Sequence, residues 1–325
     1  MFRWLLSLLF LTMPVAAAEL KIIVPAAEDT YALNARILSK YIAKHHPEQP
    51  TVIIQAVPGA FSIVAANYLY NNAAKDGSVI GTFYKEIPMT GVLGGLNVDF
   101  DPAKFTWIGS NADGRKDAMM VWSNRDKPID YFKDEELIVG LEGGSTGSPA
   151  HIVQRLLGLR FKYINGYPNS AANRLALDRR EVDAVFYNLI GIKPGKPQWL
   201  QPGSGVYPLL QMGNGKARHA EYPDIPTLTD FLTTANDLDL AAAFESQFML
   251  IRPFAAPPGI PADKAKMLRQ AFEAAVNDPD YRSEAKKANI DVNLVSWREC
   301  EELVARIKAT PALTLNILKQ YYEAK

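Results

Sequence analysis

The sequence predicts an α/β protein built as two lobes around one ligand cleft. Three observations carry this. Short apolar runs bounded by turn residues alternate with helix-length segments along most of the chain. That alternation argues for mainly parallel sheets with helices packed on them. The strand candidates fall into two groups, and a helical tail without a sheet of its own must pack back on the first group, so the chain crosses between lobes twice.

The chain opens with MFRWLLSLLFLTMPVAAA, one positive residue (Arg3) followed by an apolar core from Trp4 to Met13. Small residues before Glu19 fit export with signal-peptide cleavage after Ala18. The apolar core is shorter than the ~20 residues a membrane span requires. No cysteine sits near the cleavage point to carry a lipid, and the expected location is the periplasm. Cleavage leaves 307 residues with 34 basic against 35 acidic side chains, a balance that gives no support for nucleic-acid binding. The single cysteine, Cys300, excludes an internal disulfide and any zinc site built on several thiolates, and it is expected to be buried. No histidine or carboxylate spacing calls for a metal or another cofactor, and His45 and His46 read as solvated residues ending a surface helix.

Strands are expected at Leu20–Val24, Thr51–Gln55 and Val79–Phe83 for the first sheet. A second sheet draws on Ala118–Ser123, Leu137–Leu141, Val182–Phe186 and Val206–Gln211. Helices are expected at Ala32–Lys44, Ile63–Asn71, Pro149–Leu157, Ala171–Arg179, Ala262–Asn277 and Glu299–Ala309. Pro261 and Asp263 start the fifth of these well, and Asp278-Pro279 stops it. Residues 1–18 are then the leader, 19–112 with 250–325 the first lobe, and 113–249 the second. Open α/β sheets bind ligands at the carboxyl ends of their strands, so two facing lobes place those loops around one cleft that a hinge can close.

The loops at those strand ends supply the candidate residues. Gly143-Gly144-Ser145-Thr146-Gly147-Ser148 follows a strand and precedes a helix, so Ser145, Thr146 and Ser148 stand with backbone N–H groups at the positive end of a helix dipole, a place for an anion. The same letters read G-x-S-x-G, a hydrolase nucleophile elbow, with Asp183 and His219 available in chain order but no HGGG-type oxyanion segment. From the first lobe, Thr30 and Tyr31 open the first helix, Phe61 and Ser62 open the second, and Lys85 follows the third strand. Thr30 or Asp29 would cap the first helix, and a serine before the second reads equally as a cap. Lys85 would neutralise a ligand carboxylate or pair with Glu28 or Asp29. From the second lobe, Tyr167, Asn169 and Asn188 offer phenol and amide groups that orient a ligand without doing chemistry. Trp107, Trp122, Trp199 and Trp297 read as core.

Stretches spread over the mature chain carry a resemblance. They are IIVP at Ile22–Pro25, Tyr31 with Ala35-Arg36, PGA at Pro58–Ala60, AANYLYN at Ala65–Asn71 and KDGSVIGTF at Lys75–Phe83. DPAKFTWIGS at Asp101–Ser110, GSTGSP at Gly144–Pro149 and GYPNSA at Gly166–Ala171 follow, then REVDA at Arg180–Ala184, YPDIPTL at Tyr222–Leu228 and APPGIP at Ala256–Pro261. In order and spacing the chain resembles the extracytoplasmic solute receptors of tripartite tricarboxylate transporters. The resemblance implies a two-lobed periplasmic-binding-protein fold of type II, no catalytic activity, and capture of a small, usually carboxylated metabolite. It also implies delivery to integral membrane permease subunits, one large and one small, by a receptor expected to be a monomer. Two loops depart from the family pattern. Glu28, Asp29 and Thr30 stand where glycines are expected in the first loop, with Ala32 where an Asp is expected, and a PGAGG-like turn reads Pro58-Gly59-Ala60-Phe61-Ser62. Side chains in place of glycines should reshape that wall. Two loop carboxylates would repel an acid unless they turn outward or pair with Lys85, so an amine-bearing, neutral or differently shaped ligand is the expectation they raise.

Overall fold

In the computed structural model, which describes residues 18–142 and 149–323, the chain forms two sheets. The first is six-stranded. Its parallel half is β1 (Glu19–Val24), flanked by β2 (Thr51–Ala56) and β3 (Val79–Thr82), with Ile22 opposite Ile54 and Ile80. The helices α1 (Thr30–His45) and α2 (Ile63–Asn71) make the crossovers that parallel strands require. β1 sits in the middle of this half and is accordingly a nearly continuous apolar run, LKIIV. After α3 (Ile87–Leu93), β4 (Thr106–Asp113) extends the sheet and leads to the other lobe.

The second sheet is five-stranded, in the order β7-β6-β8-β5-β9. Its members are β5 (Met119–Ser123), β6 (Glu136–Glu142), β7 (Arg160–Tyr167), β8 (Ala184–Asn188) and β9 (Tyr207–Met212). Helices α4 (Pro149–Leu157), α5 (Ser170–Asp178) and α6 (Leu189–Gly195) connect or follow these strands. The chain returns through α7 (Ala235–Ser246) into β10 (Leu250–Ala256), which inserts between β3 and β4 of the first sheet. The helices α8 (Ala262–Asn277), α9 (Pro279–Lys287), α10 (Trp297–Lys308) and α11 (Ala312–Glu323) complete the chain. α8 packs on α1 and β4, so the tail does return to the first lobe.

Two expectations need correction. The sheets are mixed rather than mainly parallel: β10 runs against β3 and β4, and β5 runs against β8 and β9. The reason is the crossing itself, because a strand that enters from the other lobe arrives at the carboxyl ends of its neighbours and must run opposite to them. The tail is almost wholly helical and has no sheet of its own among the described residues; the short β11 (Val295–Ser296) adds an edge to β4 of the first sheet. Finally, His46 is buried (7 % exposed) and burial lowers its pKa, while His45 Nε2 meets Asp278 Oδ2 at 2.7 Å, so neither is simply solvated.

Where the chain crosses between lobes, its two passes touch. The Gly114 N–H donates to Met249 O at 3.1 Å, and a Cβ on Gly114 would sit 1.5 Å from the Phe248 carbonyl oxygen. Only a residue without a side chain permits that approach. One apolar cluster runs through both lobes, joining Phe83 and Trp107 of the first to Val121, Val139 and Leu210 of the second. α7 packs on α10 and α11 as well as on the 228–231 turn. Trp107, Trp122 and Trp199 are core residues and Cys300 is a buried free thiol, its pKa raised by burial. Trp297 instead has two guanidiniums over its ring, Arg269 at 3.6 Å and Arg298 at 4.4 Å from its centre.

Candidate functional site

The first wall of the cleft is set by α1. Asp29, not Thr30, is its N-cap: Asp29 Oδ1 accepts the Ala32 N–H at 2.7 Å. The other oxygen accepts the Tyr84 hydroxyl at 2.9 Å, tying the loop after β1 to the loop after β3. Thr30 and Glu28 are exposed. Tyr31 stacks edge-on against Tyr84, ring centres 4.9 Å apart, and its hydroxyl pKa is raised by burial and by the charge of Glu86.

The turn after β2 is the most strained segment of this wall. Ala60, Phe61 and Ser62 follow one another in the left-handed region at φ 44°, 49° and 72°. Such backbone is cheap for glycine and costs other L-residues of the order of 1–2 kcal/mol each. Phe61 stands out to solvent (52 % exposed), whereas Ser62 is buried. Ser62 makes no side-chain cap to α2; its Oγ accepts the Tyr84 N–H at 3.1 Å. Strain is thus held in place by a hydrogen bond to the neighbouring cleft loop.

Lys85 reaches across the cleft. Its Nζ donates to Asn188 Oδ1, at the carboxyl end of β8, and lies 4.8 Å from the centre of the Phe248 ring. It pairs with neither Glu28 nor Asp29. Asn188 Nδ2 in turn donates to Asp117 Oδ2 at 2.8 Å, and the Ile190 N–H donates to Asp117 Oδ1 at 3.0 Å. Burial lowers the Lys85 pKa and raises that of Asp117, with each charge opposing the other's shift. Asp117 also lines an inter-lobe cavity of ≈ 180 Å³, with Asp113 and Asn293 from the first lobe and Ile190, Lys193 and Glu221 from the second.

The structure therefore brings Tyr31, Ser62, Lys85 and Asn188 to one place, with Thr30 and Phe61 at its edge. Asn169 caps α5, its Oδ1 accepting the Ala172 N–H at 2.9 Å. Tyr167 is half-buried against the second lobe's apolar cluster, and burial followed by Glu181 raises its pKa. Ser145, Thr146 and Ser148 lie outside the described residues. From the end of β6 the second lobe carries a polar relay: the Tyr187 hydroxyl donates to Glu142 Oε1 at 2.8 Å and accepts from Asn173 Nδ2 at 3.0 Å, with Arg174 over its ring. Asp183 and His219 are not brought together. Asp183 Oδ2 accepts the Ile138 N–H at the amino end of the sheet, while His219 Nε2 sits 3.2 Å from the Lys116 carbonyl near the crossing.

Reading the sequence missed Asp117, Tyr187, Arg252 and Glu245. A signal existed for two of them: Arg252 is the lone charge in MLIRPFAA, and Glu245 the lone charge in AAAFESQF. Both are buried, at 6 % and 2 % exposure, and burial pushes the Glu245 pKa up to about 7. Among the described residues no group of three or more His, Cys, Asp or Glu could hold a metal ion, and no helix is long and apolar enough to cross a membrane.

No protein-family model matches the chain, and no curated protein matches it. Solved structures do. A ligand-free TctC solute-binding protein from Polaromonas is similar at a TM-score of 0.66 and 18 % identity, over 93 % of this chain and 98 % of that one. MatC from Rhodopseudomonas palustris with bound malate follows at 0.64 and 17 % identity, over 94 % and 100 %. An R. palustris protein with adipate is similar at 0.63 and 19 % identity, over 92 % and 97 %. The likeness spans both lobes and the cleft between them, and the chain has the two-lobed, type II fold of periplasmic binding proteins.

Proposed function

We propose that this chain is a periplasmic solute receptor of the tripartite tricarboxylate transporter type. It captures a small carboxylate-bearing metabolite between its lobes and hands it to a membrane permease of one large and one small subunit. The role is binding without catalysis. The observation that carries this reading is the Lys85–Asn188 hydrogen bond, which joins loops at the carboxyl ends of strands in opposite sheets. Ligands of open α/β folds sit at such strand ends. The apolar leader supports export, and the malate and adipate held by similar structures support an acid as ligand.

The electrostatics of the first loop agree with that choice. Asp29 spends both oxygens on the α1 N-terminus and on Tyr84, so its charge is already met by donors and does not stand open to repel an acid. The test is a thermal-shift screen of the purified protein against organic acids, amino acids and amines. Ligand at about 100 times its Kd adds roughly 2.7 kcal/mol, which moves the melting temperature by several degrees. A hit among carboxylates supports the reading, and a blank screen on folded protein refutes it. Labelling of Ser145 by a fluorophosphonate would refute the non-catalytic part alone.

A further inference from the structure

Hydrogen-bonded side chains cross the cleft from Asp117 through Asn188 to Lys85. Asp117 is buried just beyond the end of β4; its Oδ1 accepts the Ile190 N–H at 3.0 Å and its Oδ2 accepts Asn188 Nδ2 at 2.8 Å. The backbone of Asn188 is fixed as well. It pairs with Met119 in the ladder between β8 and β5, and the next N–H, of Leu189, donates to Ala118 O at 2.9 Å. A carboxylate accepts and does not donate, so Asp117 holds the amide nitrogen toward itself. The amide oxygen is thereby turned to the first lobe, where Lys85 Nζ donates to it. An ammonium donates and does not accept, so no other orientation of the amide satisfies both neighbours.

Lys85 has a weaker partner than its charge calls for. Among the described residues no carboxylate lies within ion-pair distance of it. It holds a neutral amide oxygen, with the Phe248 ring 4.8 Å away. An ionised acceptor adds a Coulomb attraction that an amide oxygen lacks. Lys85 follows β3 and Asn188 ends β8, so their contact lies where the carboxyl ends of strands from opposite sheets face each other. That is the place of ligands in open α/β folds. The amide oxygen there has the shape of one carboxylate oxygen without its charge.

We infer that Asn188 is a resident stand-in for the ligand: its amide oxygen holds the place of one carboxylate oxygen on Lys85, and an acid binds by displacing it. The inference rests on the solute-receptor reading above. Exchange at this contact selects the ligand's class. A carboxylate brings Lys85 a charge that Asn188 lacks, so displacement is favourable. A neutral amide brings only what Asn188 already gives, and an amine brings no acceptor. Because the stand-in has to leave, affinity for the acid is lower than Lys85 alone would give. Asp117 is the positioning residue of the exchange, since it keeps the amide nitrogen turned away from Lys85.

The experiment measures melting temperature and Kd for the full protein, for Asn188→Leu, for Lys85→Met and for the double variant. The probes are malate, adipate, the diamide of each and 1,6-diaminohexane. Asn188→Leu is close in shape and removes the amide; it should bind the better acid roughly 3- to 30-fold more tightly, the release of one hydrogen bond to a charged group. Lys85→Met should weaken that acid roughly 10- to 100-fold. In the Lys85→Met background Asn188→Leu should change nothing, because its effect runs through Lys85. The diamides should bind wild type at least about 10-fold more weakly than their acids. If Asn188→Leu fails to fold, with Asp117 left without its amide donor, Lys85→Met and the diamides still decide. Acid binding that Asn188→Leu weakens or leaves unchanged, that Lys85→Met leaves undiminished, or that a diamide matches overturns the stand-in and leaves the receptor standing. Tightening by Asn188→Leu that persists without Lys85 overturns it too. Stabilisation of wild type by the diamine alone, or by no probe, overturns the carboxylate-receptor reading and the stand-in with it.

Discussion

Phe61 offers a direct test of whether the cleft wall is strained. At φ 49° and ψ 52° it is the middle of three left-handed residues. Replacing it changes packing and backbone together, so a single variant cannot separate them. The pair Phe61→Ala and Phe61→Gly does, because both lose the ring. At an ordinary position Gly is less stable than Ala by about 0.5–1 kcal/mol, through the entropy of the unfolded chain. At a left-handed position Ala carries a penalty of about 1–2 kcal/mol that Gly escapes. The difference predicts that Phe61→Gly is the more stable of the two by about 0.5–1 kcal/mol. Urea unfolding reads this as a higher midpoint for the glycine variant at an unchanged slope. A glycine variant less stable than the alanine variant would refute left-handed strain at Phe61.

Other perturbations follow from the same geometry. Asp29→Ala removes a helix cap, about 1 kcal/mol, and the acceptor of the Tyr84 hydroxyl, so a loss of about 2 kcal/mol in urea unfolding is expected. Gly114→Ala puts a methyl group 1.5 Å from the Phe248 carbonyl and should cost about 3 kcal/mol or more, or part the two chain crossings, which small-angle scattering would show as expansion. Glu245 has a pKa of about 7 when folded against about 4.3 unfolded, so between those values the folded protein holds a proton that the unfolded chain has lost. Stability should then fall as pH rises through that window, by up to about 4 kcal/mol, and Glu245→Gln should remove that slope. Asp117 shifts in the same direction and is common to both proteins, so the difference between their pH profiles isolates Glu245. Parallel profiles would show that Glu245 carries no such shift.

What was legible in the sequence is what local pattern controls. α2, α4 and α8 run over Ile63–Asn71, Pro149–Leu157 and Ala262–Asn277 as the periodicity and the flanking prolines predict. β4, β7 and β10 were not read as strands, each for its own reason. β7 is an edge strand with a mostly polar, half-exposed pattern, RFKYINGY. β10 contains Pro253 and Arg252, which argue against a central strand, and its ladder to β4 is irregular, with a register shift between Phe254 and Ala255. β4 forms only because β10 returns beside it, a pairing across about 140 residues that no local pattern announces. The cleft residues divide the same way: loops that follow strands were identifiable, whereas Asp117 lines the inter-lobe cavity from just beyond the end of β4, where the chain crosses between the lobes, which is a property of topology.

The departures of the two first-lobe loops then acquire a common physical sense. Where a glycine-rich loop would let the backbone approach a ligand directly, this chain builds the wall from side chains that bind one another. Asp29 holds Tyr84, Tyr84 stacks on Tyr31, and Ser62 holds the Tyr84 N–H, so Tyr84 is the joint through which the loops after β1, β2 and β3 are fixed together. Removing the Tyr84 hydroxyl alone should leave the stack and the Ser62 bond in place and release only Asp29. A wall preorganised this way loses less entropy on binding than flexible glycine loops would, and it presents less backbone to the ligand.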